Sequence, residues 1–229
     1  LESRARNDPI SAKATCSRLP DYESLLSYPS LMQEKRVNQG MSPDFDRFLT
    51  FAKSFSPRAE ISIEEVPAPQ KLAPFAYALS ADVSLSPNPG LASDDDVATG
   101  RFVLLHDPEG QEAWEGIFRC VTFVRSAIED DLQSDPLLPQ VGWSWFMESI
   151  RETGTTSRAE SGTVTRVSSA SFGQLAANDD SSEIEIRASW TPEDGRELDR
   201  HLQAWVSLLS IASGLNPLPE GVSSLPTRR

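Results

Sequence analysis

Two histidines hold most of the acid–base chemistry this sequence could offer. His106 stands beside Asp107, with Glu112 shortly after. An imidazole next to carboxylates could serve as a general base or as half of a metal site. A metal site wants three or four ligands, and the chain contains only one other histidine, His201. Turn chemistry explains the same residues more simply. Asp107-Pro108-Glu109-Gly110 begins with an Asx-forming aspartate, fixes φ with proline and ends on a glycine that can take φ > 0. The expectation is that His106 ends a strand and Asp107 starts a turn, with no catalytic and no metal-binding role. Glu197 and His201 are spaced i, i+4, so both could touch one ion on a helix, but no third ligand is evident.

Other chemistry finds less to build on. Ser168-Ser169-Ala170-Ser171 lacks the Gly-x-Ser-x-Gly setting of an activated nucleophile, and neither a phosphate loop nor a Gly-x-Gly-x-x-Gly turn is present. Arg119, Arg125 and Arg187 fall on predicted strands and are expected to pair with the abundant acids. Trp145 is more informative. Trp143, Phe146, Met147 and Ile150 share one face of a predicted helix, and Trp145 points away from it. An exposed tryptophan suits an interaction surface, because tryptophan is over-represented among interface hot spots. The alternative is that a loop or residues 1–40 cover it.

The elements that would position these groups read as follows. Ser42 caps a helix with Pro43 at its first position and Phe45, Phe48, Leu49 and Ala52 at helical spacing. Ile61 and Ile63 alternate with polar residues, as do Tyr77 to Leu85, in the pattern of strands with one buried face. Phe102–Leu105 and Ile117–Val124 predict a central hairpin turning at Asp107–Gly110. Trp143 to Ile150 is helical up to Gly154, and Thr155–Ser161 reads as loop. Thr163–Ser169 and Glu183–Trp190 are strands, and Thr191-Pro192 is expected to cap a last helix striped by Leu198, Leu202, Trp205, Leu209 and Ala212. Helices this sparse cannot cross over between every strand pair. The fold class is therefore α+β, in the order α-β-β-β-β-α-β-β-α, with a mainly antiparallel sheet of about six strands and helices on one face.

Residues 41–222 read as one domain and 223–229 as a loose C-terminal tail. Residues 1–40 show no sustained period and read as a disordered tail, either an upstream extension or an added segment ahead of a domain that opens at Met41. The formal net charge is −13, and since residues 1–40 carry six basic and five acidic groups, the acidity belongs to the domain. A chain this acidic, with no basic cluster, is expected to bind neither nucleic acid nor an anionic membrane directly. Two cysteines, Cys16 and Cys120, make no disulfide framework, and no apolar run reaches the length of a membrane helix. A cytoplasmic protein without cofactor is expected.

Several segments resemble a family pattern: VPAPQKLAPFAYAL at Val66–Leu79, GRFVLLHDPEGQEAWEGIFRCVTFVR at Gly100–Arg125, DPLLPQVGWSWFMESI at Asp135–Ile150, then GTVTRVSSASFG and EIRASWTP. Together they resemble the actinobacterial domain-of-unknown-function family three thousand over roughly Met41 to Pro226. That resemblance implies a cytoplasmic setting and carries over no catalytic residue. Genes of that family lie near one for a ribonuclease D-like protein, which implies an accessory part in RNA metabolism through a protein partner. The element order is also similar to type III secretion chaperones and YbjN-like folds, which dimerise and bind other polypeptides. The expectation is a non-enzymatic protein-binding or chaperone-like module. The alternative is a small enzyme or ligand-binding protein using His106, Asp107 and Glu112.

Overall fold

Ser42 does what its position predicts. In the computed structural model its hydroxyl accepts the Phe45 N–H at 3.2 Å and opens α1 (Pro43–Ser54), with Pro43 in the first turn and Asp44 and Asp46 near the positive helix end. The structure describes residues 40–85, 96–129, 132, 134–175 and 181–216, all within the larger of the two units into which the chain divides, Arg36–Arg229. The expectations for residues 1–39 and 217–229 lie outside the described residues.

After α1 come β1 (Ile61–Val66), β2 (Phe75–Ser84), β3 (Asp96–Gln111), β4 (Gly116–Ala127), α2 (Leu138–Glu152), β5 (Ser157–Ser169), β6 (Ser181–Pro192) and α3 (Leu198–Ala212). The six strands form one antiparallel sheet in the order β1-β2-β3-β4-β6-β5. This is the expected α+β architecture, with the expected element order. The α2 helix carries the chain past the place that β6 fills, out to β5 at the far edge.

Alternation assigns each strand residue to a face. Tyr77, Leu79, Ala81 and Val83 pair across to Leu104, Phe102, Gly100 and Ala98, and these continue through Cys120 and Val124 to Trp190 and Ile186. All three helices pack on this side, where Phe45, Phe48, Phe146, Leu202, Trp205 and Leu209 complete the core. A Cβ on Gly100 would meet Leu209 Cδ2 at 2.7 Å, so glycine there lets α3 lie close on the sheet. The opposite face presents Val103, Leu105, Val121 and Phe123 among Arg101, Arg119, Arg125 and Arg187.

Three boundaries differ from expectation. The central turn lies at Glu112–Glu115, not Asp107–Gly110. The latter is an irregular stretch inside β3, made by the Asp107 Asx bond and by Gly110 at φ 74°. Strand β5 begins at Ser157, within the predicted loop, because its polar residues sit on an edge. Thr191 and Pro192 end β6 instead of starting a helix. Asp194 takes the capping role, accepting the Arg196 N–H at 2.9 Å ahead of a 3-10 turn at Gly195–Glu197.

Candidate functional site

Asp135 prepares α2 by accepting the Leu137 N–H on Oδ1 at 2.8 Å, and Pro139 sits in the first turn, where a missing N–H costs nothing. The helix buries Leu138, Gly142, Phe146, Ser149 and Ile150. One of these is small for a reason. A Cβ on Gly142 would come within 2.8 Å of Ile184 Cδ1, so the helix approaches β6 more closely than a larger side chain would allow. Gly154, at φ 66°, then reverses the chain.

That close approach sets where the tryptophans fall, and it corrects the expectation for Trp145. The buried arc is centred on Gly142, Ser149 and Phe146, so Trp143 and Trp145 sit at its two borders. Trp145 is half-buried and packs on the core, whereas Met147, expected inside, is 37% exposed. A face drawn through the large apolar residues alone is rotated away from this arc. The signal that would have found it is the Leu138, Gly142, Ser149 spacing, with small residues at the contact.

The helix therefore offers two apolar flanks. On one, Leu137, Val141 and Trp145 follow at i, i+4, i+8, with Leu137 60% and Val141 38% exposed. Glu152 continues this flank and accepts the Ser207 hydroxyl at 3.3 Å, which places it beside α3. On the other flank lie Met147 and Trp143, and Trp143 looks toward β5. The Trp143 ring lies above Gly162, its Cζ3 2.8 Å from where a Cβ would be.

His106, Asp107 and Glu112 do not converge. His106 is fully buried on the helix-covered face, stacked between Phe118, Phe45 and Phe75 at ring distances of 4.6, 5.5 and 5.6 Å. Its Nε2 accepts the Ser42 N–H at 3.2 Å, which leaves Nδ1 to donate to Ile117 O at 3.1 Å. Both nitrogens thus tie the start of α1 to the central hairpin, and burial holds the imidazole pKa below its usual value. Asp107, one residue on, faces the other way and is used by the Glu109 N–H at 3.2 Å and by Gln111 Nε2 at 3.1 Å. Glu112 is exposed at the start of the turn.

His201 is fully buried too, and it forms no pair with Glu197 around an ion. Its Nδ1 accepts the Trp190 indole N–H at 3.0 Å, so Nε2 donates to Thr155 Oγ1 at 3.1 Å. The Thr155 hydroxyl in turn donates to Glu197 Oε2 at 3.2 Å, while Glu197 Oε1 meets Arg200 at 2.9 Å. Thr155, which no motif singles out, is the joint between these groups. Burial also pushes the Cys120 thiol well up, which keeps it from acting as a nucleophile. No group of three or more metal-ligating side chains occurs among the described residues.

Arg125 meets Glu183 and Arg187 meets Glu185, as expected. Arg119 donates to Ala159 O at 2.9 Å, Thr191 Oγ1 at 3.1 Å, Ser161 Oγ at 3.1 Å and Ser189 Oγ at 2.7 Å. Ala159 takes φ 51°, uncommon for a residue with a side chain, and the guanidinium holds its carbonyl in place.

No helix of the described residues is long and apolar enough to cross a membrane. No curated protein and no solved structure matches the chain. The family described as "Protein of unknown function (DUF3000)" matches residues 41–223, from the helix cap at Ser42 past the end of α3, and the chain belongs to that family.

Proposed function

We propose that the protein is a non-enzymatic, cytoplasmic binding module whose partner is a polypeptide, held along the Leu137–Val141–Trp145 flank of α2 where it borders α3. The observation that carries this reading is the placement of apolar surface. Leu137 and Val141 stay in solvent beside a half-buried tryptophan, in a line that an amphipathic partner helix could match. Tryptophan at the border of such a line has the area and rigidity of a hot spot. The groups that could have done acid–base work support the same reading, since the ring nitrogens of His106 and His201 are spent on holding elements together. The rival site at His106, Asp107 and Glu112 gains no support from three side chains that face apart. Negative charge on the domain favours a protein partner over direct contact with nucleic acid.

The test places a photo-crosslinking side chain at Val141 in the full-length protein, in its native host. A discrete polypeptide adduct is expected at Val141, absent when the same group replaces Thr50 on α1, and lost on adding Trp145→Ala. Equal labelling at Val141 and Thr50 would remove the surface from consideration.

A further inference from the structure

The geometry points to a symmetric pairing of this chain with a second copy along the outer edge of β5. Among the described strands β5 and β1 end the sheet, and they are unlike. Strand β1 has six residues, presents Glu64 and Glu65 to solvent and runs into Pro67, the usual means of blunting an edge. Strand β5 has thirteen residues, and from Ser161 to Ser169 its one charged residue is Arg166 and it contains no proline. Its register irregularity is confined to the Arg158–Ser161 end.

The sequence of β5 is complementary to itself. Thr163 is the midpoint of Ser157–Ser169. An antiparallel copy centred on Thr163 brings Glu160, at the inner limit of the irregular end, opposite Arg166 of the second copy, at both ends; Arg166 also donates to Asp135 O at 3.1 Å within its own chain. Between those two ion pairs, Ser161 to Thr165 form the regular ladder, and Gly162 falls opposite Val164 of the second copy. Opposite charges facing each other across strands support this register and disfavour its neighbours.

A second observation lies above the same edge. Gly162 and Val164 are on the helix-covered face, and the Trp143 ring occupies the space over Gly162. The pairing brings Val164 of the second copy beneath that ring and covers the flank on which Met147 is 37% exposed. The α2 flank used here is the one away from α3, so the pairing stands or falls separately from partner binding at Val141.

Sedimentation velocity on the full chain over a range of concentrations, with circular dichroism to verify folding, tests the proposal. A monomer–dimer equilibrium is expected, weakened about tenfold or more in Kd by Glu160→Arg or by Arg166→Glu, and restored by the double exchange. Independently, Thr163→Cys in a Cys16→Ser background should form a covalent dimer under mild oxidation, whereas Ser169→Cys should not. A monomer at every concentration overturns the pairing. So does a dimer indifferent to both charge reversals that forms no Thr163→Cys crosslink. Recovery of a different polypeptide bound at the β5 edge would also reject the second copy as its occupant.

Discussion

His201 Nδ1 accepts the indole N–H of Trp190 at 3.0 Å, and this one bond decides the tautomer of a buried imidazole. With Nδ1 occupied as an acceptor, the proton resides on Nε2 and is passed as a hydrogen bond to Thr155. The chain Trp190–His201–Thr155–Glu197 joins β6, α3 and the α2–β5 connection. It is satisfied at every member only while the ring is neutral.

A pH dependence follows, with a definite sign. Burial lowers the His201 pKa from 6.5 in the unfolded chain to about 4 in the folded one. Within that window the unfolded state binds the additional proton. The contribution of His201 is therefore fully present above pH 6.5 and is lost as pH falls toward 4, by about 3 kcal/mol in all. His106, also lowered by burial, acts in the same direction. Asp82, raised first by burial and then by Asp96 and Glu64, gains on protonation and makes the slope shallower. Imidazole proton shifts in NMR titrations should show His201 uncharged through pH 5. A midpoint between 6 and 7 would mean the ring is hydrated.

Thr155 supplies both an acceptor to His201 and a donor to Glu197, so Thr155→Val should leave the buried Nε2–H without a partner. A loss of about 1–3 kcal/mol in urea unfolding is expected, with Thr155→Ser recovering most of it. Equal losses in both variants would show that the methyl group matters and the hydroxyl does not.

The fold was legible where burial itself imposes a period. The Tyr77–Leu85, Glu183–Trp190 and Leu198–Ala212 patterns are readable because one face of each element is buried. Strand β5 was half-hidden because an edge has few residues to bury, and its Ser-, Thr- and Gly-rich sequence resembles loop. The Thr191-Pro192 signal misled for a different reason: Thr191 is spent inside the sheet, on Arg119 and on the Trp114 carbonyl. The candidate surface was legible in residue type but not in direction. The spacing of large apolar residues turns Trp145 away from the buried face, whereas it lies half-buried at the border because the helix meets the sheet at Gly142, a closeness that composition does not reveal.

His106 works as a core aromatic with two hydrogen bonds. His106→Ala should remove a ring packed by three phenylalanines and also the acceptor for the Ser42 N–H. A destabilisation of about 3–5 kcal/mol is expected in denaturant melts, the range for large aromatic truncations. Metal content measured on protein purified without chelator should be the same for wild type and His106→Ala. One equivalent of metal in the wild type that is lost in the variant would overturn the structural role.

Arg119 joins β4, β6 and the start of β5 through one planar group with several donors. Arg119→Lys should fail to rescue what Arg119→Met loses, because an ammonium cannot reproduce the fork. Both are expected to cost about 2 kcal/mol or more, since bonds from a charged donor are the stronger kind. Hydrogen exchange should show the loss first at the Ala159 end of β5, where the backbone conformation is least favourable by itself.

The two tryptophans most distant in role should separate by stability and by binding. Trp205 is 1% exposed at the centre of the α3 stripe, its ring tilted against Phe102 at 5.6 Å, so Trp205→Ala should cost about 3–5 kcal/mol. Its indole N–H finds no acceptor among the described residues. Trp205→Phe therefore gives up volume without breaking a hydrogen bond and should cost far less than the alanine variant. Trp145 is half-buried at a helix border, and Trp145→Ala should cost about 1–2 kcal/mol, between a surface change and a core truncation. If its exposed edge carries partner binding, the same variant should lower affinity by about 2 kcal/mol or more while the protein stays folded. Urea melts and crosslinking yield at Val141, run on the same preparations, separate the two effects. A Trp145→Ala protein as unstable as Trp205→Ala would make Trp145 a core residue and leave the α2–α3 flank without its anchor.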